Sequence, residues 1–161
     1  MSLKEHFQTL FEYHMHTTRH LIASAAQLDH EVYHQDGEYG HGSIHDLLFH
    51  LLQADQGWRI GLETLKQEAG LPADDYASLE SLSQAFEEEE LAWEAYLRGL
   101  SGADIESDLT LTDRRGNHRT FPLWRILQHL ILHGMQHHSE IAQMLTLAGQ
   151  SPGNLDFIFY A

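Results

Sequence analysis

The sequence predicts an all-α fold, a four-helix bundle with a short hairpin or extended loop before the last helix. Four long stretches repeat their apolar residues at helical spacing. The chain of 161 residues contains only three prolines, and 42% of its residues are hydrophobic. A chain of this length can bury a sizeable core, and the connections between the four stretches are short to medium. We therefore expect a single domain that covers residues 1–161.

The composition excludes several classes of partner. The formal net charge is −15, from 9 basic and 24 acidic residues. Such a chain repels phosphate backbones and anionic lipids, so we expect neither a nucleic acid nor a membrane as a partner. The chain has no cysteine, which rules out a disulfide framework and thiolate ligands. The N-terminus lacks the apolar core of a signal peptide, so a cytoplasmic location is expected.

The first helix is expected over residues 2–28. Ser2 with Glu5 three residues later fits a capping box at its start. The residues along one side of this helix include Leu3, Phe7, Leu10, Tyr13, Thr17, Leu21 and Ala25. His14 lies near this side. His6, His16 and His20 have no clear inward bias, and we expect them to lie at the surface or to have satisfied hydrogen bonds.

The second helix follows a linker at residues 29–42 that is rich in glycine, histidine and aspartate. Ser43 with Asp46 fits another capping box. The inner side of the helix contains Leu47, His50, Leu51, Ala54, Trp58, Leu62 and Leu65. His50 is therefore predicted to lie among leucines on the buried side, whereas His45 is predicted to point outward.

The third helix is expected over residues 78–100, with apolar residues close to heptad spacing. It contains four consecutive glutamates at 87–90, a run that invites a carboxylate-ligand interpretation. Four consecutive residues cover every direction around a helix, so only one of them could face inward. A solvated face is the favoured interpretation.

A short hairpin or extended loop is expected at residues 101–121, where Leu109 and Leu111 alternate with threonines before a turn at 114–117. The arginines of this segment could bind an anionic substrate, but a solvated turn is favoured; they are Arg114, Arg115 and Arg119. Pro122 is predicted to begin the fourth helix, and Gly149 to end it. The apolar tail beyond is expected to fold back onto the helices.

The fourth helix contains two histidines that, together with His50, indicate a metal site. Its apolar side is formed by Ile126, Leu130, His133, His137, Ile141, Met144 and Ala148. His133 and His137 are one turn apart on this side and can bind one ion together. A buried imidazole without a partner costs about 1–3 kcal/mol, and His50 offers a third donor. The chain contains 14 histidines, so a polar cluster without metal is the alternative.

Three imidazole donors predict a transition-metal site with open coordination positions. They leave coordination positions for water or substrate, as in catalytic zinc sites. Nitrogen donors suit a transition metal and fit Mg²⁺ or Ca²⁺ poorly, so we expect one divalent ion, zinc or nickel ahead of iron, manganese or copper. Such an ion lowers the pKa of bound water or of a substrate thiol. Asp55 and Glu140 are candidates for a base or for contacts with the ligands, and no catalytic residue is assigned.

Two segments carry a family resemblance. GSIHDLLFHLLQADQGW and HLILHGMQHHSEIAQMLTLAGQSPGNLDFIFY resemble the two signature helices of the DinB-like (DinB/YfiT) superfamily. The resemblance implies an up-down-down-up four-helix bundle that is often dimeric. It also implies a divalent metal on residues matching His50, His133 and His137. The family often continues its last helix with H-R-G-Q, where this chain has His138, Ser139 and Glu140, so an arginine function does not carry over.

Some members of this superfamily resemble thiol-S-transferases or isomerases that use a low-molecular-weight thiol. The first hypothesis is therefore a metal-dependent enzyme that activates a small thiol or water against a small electrophilic substrate. The second is a non-catalytic metal-binding module of a stress response, and the third is a structural homodimer with surface histidines that sense pH.

Overall fold

The computed structural model describes residues 1–37 and 42–160 of the chain. Within these residues the protein is mostly helical, with six α-helices, four of them long, and one small antiparallel sheet. The elements in chain order are α1 (Leu3–Ala25), α2 (His30–Tyr33), α3 (Ile44–Thr64), α4 (Leu79–Gly99), α5 (Gly102–Glu106), β1 (Asp108–Thr112), β2 (His118–Pro122) and α6 (Leu123–Leu147). None of the helices in the described residues combines the length and apolar character needed to span a membrane.

The starts of α1 and α3 are as predicted. Ser2 Oγ accepts a hydrogen bond from the Glu5 amide at 3.2 Å, and the Glu5 carboxylate accepts one from the Ser2 amide at 2.6 Å. Ser43 and Asp46 form the same reciprocal pair at 3.1 and 2.9 Å. Each box satisfies two amides that a helix start leaves without intrahelical partners, which confirms both predicted capping boxes.

The end of the first helix and the segment after it differ from the prediction. The first helix ends at Ala25 rather than Leu28, and the following segment, predicted as a linker without secondary structure, contains the short helix α2. Apolar periodicity continues to Leu28 because this side chain packs against the hydrophobic core after the helix has ended. Residues 38–41 of the predicted linker lie outside the described residues.

The predicted hairpin is present, but it is shorter than the predicted segment 101–121, because residues 102–106 form α5. Pro122, predicted to begin the fourth helix, is the last residue of β2, and α6 begins at Leu123. Strand β1 pairs with β2 in antiparallel register, with Asp108 opposite Pro122 and Thr112 opposite His118. In the turn, the Asp113 carboxylate accepts hydrogen bonds from the Arg115 and Asn117 amides at 2.8 and 2.9 Å. The three arginines of this segment are exposed, as expected of a solvated turn.

The C-terminal end of α6 agrees with the prediction, whereas the tail agrees only in part. Gly149 follows the last turn with a φ of +80°, and the Gln150 amide donates to the Leu145 carbonyl at 2.8 Å. The tail returns to α1, where the Tyr13 hydroxyl donates to the Leu155 carbonyl. Three apolar tail residues nevertheless remain exposed: Phe157, Ile158 and Phe159.

The long helices pack around two hydrophobic clusters. Helix α1 contacts α4 and α6, and α3 contacts the same two helices. One cluster joins the C-terminal halves of α1 and α6 to the N-terminal halves of α3 and α4. The other joins the N-terminal halves of α1 and α6 to the C-terminal half of α4 and to Leu62 near the end of α3.

Buried polar side chains occupy the middle of these helices, between the two clusters. On α1, His14 lies between Phe11 of one cluster and Leu21 of the other. The buried polar residues of this middle layer are His14, Thr17, Thr18, Asp55, His137 and His138. Buried polar groups need hydrogen-bond partners, so this layer is a candidate functional site.

Candidate metal centre

Helices α3 and α6 bring together the three histidines that the sequence singled out. The Nε2 atom of His133 lies 3.2 Å from Nε2 of His50 and 3.1 Å from Nε2 of His137. One nitrogen from each of the three rings lies within 4.8 Å of the other two, so the group could hold a metal ion. His133 and His137 meet because residues four apart share one side of a helix.

The three rings differ in exposure. His137 is 1% exposed, whereas His50 and His133 are half-buried. His50, predicted to lie among leucines on the buried side of its helix, is therefore half-buried rather than enclosed. Because two of the three residues are only half-buried, the histidine cluster is not closed off from solvent, which a bound water or substrate would require.

Glu140 acts on the cluster through His137. Its carboxylate lies 2.7 Å from Nδ1 of His137, one turn earlier on α6. A neutral His137 donates its Nδ1–H to this carboxylate, which leaves the lone pair on Nε2, the nitrogen that faces His133. A carboxylate on the non-ligating nitrogen of a histidine is the usual way to orient such a ligand.

The electrostatics of the cluster keep at least one ring neutral. Burial, together with the neighbouring His137, His50 and His129 rings, lowers the pKa of His133 to about 4, while the Asp55 carboxylate opposes the shift. A neutral imidazole is the form that binds a metal.

The donor set fits a cation. His133 Nε2 faces the Nε2 atoms of both other rings, at 3.1 and 3.2 Å, and a single proton on it cannot point straight at both. A neutral imidazole has only one N–H. One cation can instead accept the lone pairs of all three nitrogens, so the residues present suit a nitrogen-rich metal centre.

A second polar cluster lies beside the three histidines. His14 Nε2 lies 2.9 Å from Asp55 Oδ2, and each of these residues is 2% exposed. The His14 ring stacks on His138 with centroids 4.8 Å apart, and His138 Nε2 lies 2.8 Å from the Thr18 hydroxyl. Burial together with His14 lowers the pKa of His138 far below its ordinary value.

The sequence interpretation missed the role of His138, although a signal was present. The residues of α6 that face this second cluster and the adjoining core follow a 4-3-4-3-4 spacing: Leu127, Ile131, Gly134, His138, Ile141 and Leu145. Helix α6 contacts both α1 and α3, so it needs two buried stripes, and only one of them was recognised.

Gly134 allows the second cluster to form. A Cβ atom at this position would overlap Cε1 and Nδ1 of the His14 ring. The absence of a side chain therefore lets the imidazole of α1 lie against the backbone of α6.

One glutamate of the run at residues 87–90 differs from the predicted solvated face. Glu89 is 2% exposed, and its two oxygens accept hydrogen bonds from Arg59 Nε and Nη2 at 2.6 and 2.8 Å. The other three glutamates of the run are exposed or half-buried. Glu89 faces inward because its carboxylate has an arginine partner on α3, a pairing that the sequence of α4 alone does not reveal.

Two cavities of the described part of the chain lie between α1 and α4. One has a volume of about 130 Å³ and is lined by residues that include Phe11 and Trp93. The other has a volume of about 520 Å³ and is lined by residues that include Ile22 and Leu79. Neither of these two cavities is lined by a member of the histidine cluster.

The fold and the histidine cluster together define a mostly helical protein with a possible three-histidine metal site. The DinB family model matches residues 1–161, so the chain belongs to the DinB family. This confirms the resemblance seen in the two signature segments. A comparison with curated proteins gave no significant match.

Proposed function

We propose that this DinB-family protein binds one divalent transition metal through His50, His133 and His137, and that it is an enzyme that uses the ion to activate a small thiol or water. The observation that carries the proposal is the convergence of three Nε2 atoms, with that of His133 lying 3.1 Å from that of His137 and 3.2 Å from that of His50. Three protein ligands that are not closed off from solvent are typical of a catalytic centre rather than of a closed structural one.

The chemistry of the donors selects the metal class. Three imidazole nitrogens favour zinc or nickel, with iron, manganese and copper as further candidates, over hard cations that prefer oxygen. A bound ion of this class would lower the pKa of water or of a low-molecular-weight thiol near neutral pH. Substrate and thiol would reach the cluster past His50 and His133, which are half-buried.

The protein residues around the cluster have separate tasks in this proposal. Glu140 holds the proton on Nδ1 of His137 at 2.7 Å and so presents Nε2 as a ligand. Asp55 is hydrogen-bonded to His14 at 2.9 Å. We assign no catalytic base.

We further propose an up-down-down-up four-helix bundle in a single cytoplasmic domain that forms a homodimer. The arrangement of the hydrophobic clusters supports the topology. The N-terminal half of α1 shares a cluster with the N-terminal half of α6 and the C-terminal half of α4, while the C-terminal half of α1 shares one with the start of α3. Helices α1 and α6 would then run in one direction, and α3 and α4 in the other.

The test is the metal content of protein purified without an affinity tag. We expect one zinc or nickel ion per chain in the wild type and a loss of nearly all of it in His137→Ala. His129→Ala is the matched control, because His129 lies on the same helix, is exposed, and is not part of the three-histidine group. Equal metal content in the wild type and His137→Ala would remove the proposed centre.

One observation favours a second candidate, a non-catalytic metal-binding module of a stress response. The two cavities between α1 and α4 lie away from the histidine cluster, whereas enzyme sites usually occupy a pocket. The Co²⁺-substituted protein separates the two candidates. A visible-band shift on adding a low-molecular-weight thiol, with thiol-dependent turnover of an epoxide or a similar electrophile, supports the enzyme. An unchanged spectrum and no turnover support the module.

A further inference from the structure

The buried carboxylate of Asp55 has an unusual partner. It lies on α3 together with His50, is 2% exposed, and accepts a hydrogen bond from Nε2 of His14 at 2.9 Å. Burial of an ionised carboxylate is costly unless another charge or several hydrogen bonds compensate it. The charge state of His14 therefore decides how well Asp55 is compensated.

The second ring nitrogen of His14, Nδ1, has no hydrogen-bond partner among the described residues. This atom is fully buried. A protonated ring would carry an N–H at Nδ1 as well as at Nε2 and would bury a donor without an acceptor. A ring that carries its single proton on Nε2 holds Asp55 in place without supplying a positive charge to compensate the carboxylate.

The nearest arginine on α3 does not supply the missing charge. Arg59 directs Nε and Nη2 to Glu89 at 2.6 and 2.8 Å, and Nη1 to Glu63 at 3.1 Å. Two carboxylates therefore already share this guanidinium. Across residues 1–37 and 42–160, no lysine or arginine makes an ion pair with Asp55.

The histidine cluster is the neighbouring place where a positive charge can reside. The His14 ring lies against Gly134, the residue after His133, and stacks on His138, the residue after His137. The Asp55 carboxylate also acts electrostatically on the His133 ring. Three neutral imidazoles would leave the full charge of a divalent cation in this partly buried region, where Coulomb interactions are stronger than in water.

We propose that His14 and Asp55 form a positioning pair for the metal centre, in which His14 holds the Asp55 carboxylate beside the histidine cluster and the carboxylate offsets the charge of the bound cation. The inference rests on the proposed metal site. It adds two residues, from α1 and α3, that do not themselves bind the ion.

The test measures the affinity of the untagged full-length chain for Zn²⁺ by competition with a chromophoric chelator at a fixed pH. Asp55→Asn keeps the size of the side chain and an oxygen that can accept from His14, but removes the charge. We expect its affinity to fall about tenfold or more, the usual effect of losing a partner that supports the ligands. Asp74→Asn, the same change at an exposed residue, should leave affinity within about twofold because solvent screens its charge.

Variants of His14 separate positioning from general loss of structure. His14→Gln retains an N–H donor close to the place of Nε2 and should keep nearly wild-type affinity, whereas His14→Ala should lower affinity about as much as Asp55→Asn. The double variant His14→Ala with Asp55→Asn should be no weaker than Asp55→Asn alone, since His14 acts through the carboxylate. A purely structural role predicts additive losses that follow the melting temperatures of the metal-free variants.

The outcomes distinguish this inference from the proposed function. Stoichiometric Zn²⁺ binding with equal affinity in the wild type and Asp55→Asn overturns the positioning pair and leaves the three-histidine centre in place. A wild-type chain that binds no Zn²⁺ in excess of His137→Ala overturns both. A loss confined to Asp55→Asn, His14→Ala and their double variant supports the pair.

Discussion

At the scale of single residues, the absence of a side chain at Gly134 matters as much as the imidazoles around it. His14 occupies the space that a Cβ at Gly134 would need. The same ring holds Asp55 at 2.9 Å and stacks on His138. Close-packed interiors tolerate little added volume, so one methyl group at this position affects the contacts of two further helices.

Gly134→Ala is expected to destabilise the metal-free protein by about 1–3 kcal/mol, the usual cost of overpacking a core. The quantity to measure is the free energy of unfolding in urea. The matched control is Gly57→Ala on α3, where an added Cβ has no neighbour within 4 Å. That variant should gain about 0.5–1 kcal/mol because alanine is the better helix former. Equal changes in the free energy of unfolding for the two variants would show that the His14 ring can move aside without destabilising the protein.

At the scale of elements, the start of α3 depends on one short polar motif. Burial raises the pKa of the Asp46 carboxyl. Hydrogen bonds from the Ser43 hydroxyl and amide have the opposite effect and outweigh burial, so the pKa lies below its ordinary value of 3.8. A carboxyl with a lowered folded-state pKa adds stability above its unfolded-state pKa and loses that contribution as the pH falls towards the folded-state pKa.

Asp46→Asn should therefore cost about 0.3–1 kcal/mol at pH 7, the usual contribution of a negative charge in the first turn of a helix. The difference from the wild type should shrink below pH 4, as the wild-type carboxyl takes up its proton. Urea midpoints of both proteins at pH 7 and pH 3 would measure the effect. A gap of the same size at both pH values would mean that the charge of Asp46 does not contribute.

The Arg59–Glu89 pair connects α3 to α4. Burial raises the pKa of Glu89, and the hydrogen bonds and charge of Arg59 oppose that rise. Arg59→Met should cost about 3–5 kcal/mol, because it leaves a buried carboxylate without its partner. Adding Glu89→Leu to this variant should restore much of the loss, since no buried charge then remains. Equilibrium unfolding of the single and double variants tests this, and a double variant less stable than either single one would contradict it.

At the scale of the whole molecule, a metal at the histidine cluster would connect α3 to α6. A ligand that binds only the folded state stabilises it by about 2.7 kcal/mol at a free concentration of 100 Kd. For a chain of this size, that energy corresponds to a rise of roughly 5–10 °C in the melting temperature. The wild type with excess Zn²⁺ should therefore melt higher than the wild type with a chelator, whereas His137→Ala should melt at one temperature in both. A shift of the same size in the variant would place the stabilising ion elsewhere.

The pattern of residues along the chain was sufficient to predict the features that depend on residues close together in the sequence. The capping boxes at Ser2 and Ser43, the hairpin and the helical spacing of His133 and His137 belong to this group. The second polar cluster depends instead on which helices touch. Its hydrogen bond between His14 and Asp55 spans 41 positions, and the inward direction of Glu89 is set by Arg59 on another helix. Periodicity shows that a residue faces inward but does not show what it meets there.

The middle polar layer also has a consequence for how the helices align along their lengths. Sliding one helix by a single turn, about 5.4 Å, would move its imidazole or carboxylate out of the layer and among leucines of a neighbouring cluster. The apolar residues alone would tolerate such a shift far better, because one leucine can replace another at little cost. His14, Asp55 and His138 therefore select one axial register of α1, α3 and α6, and we expect this alignment to persist when no ion is bound.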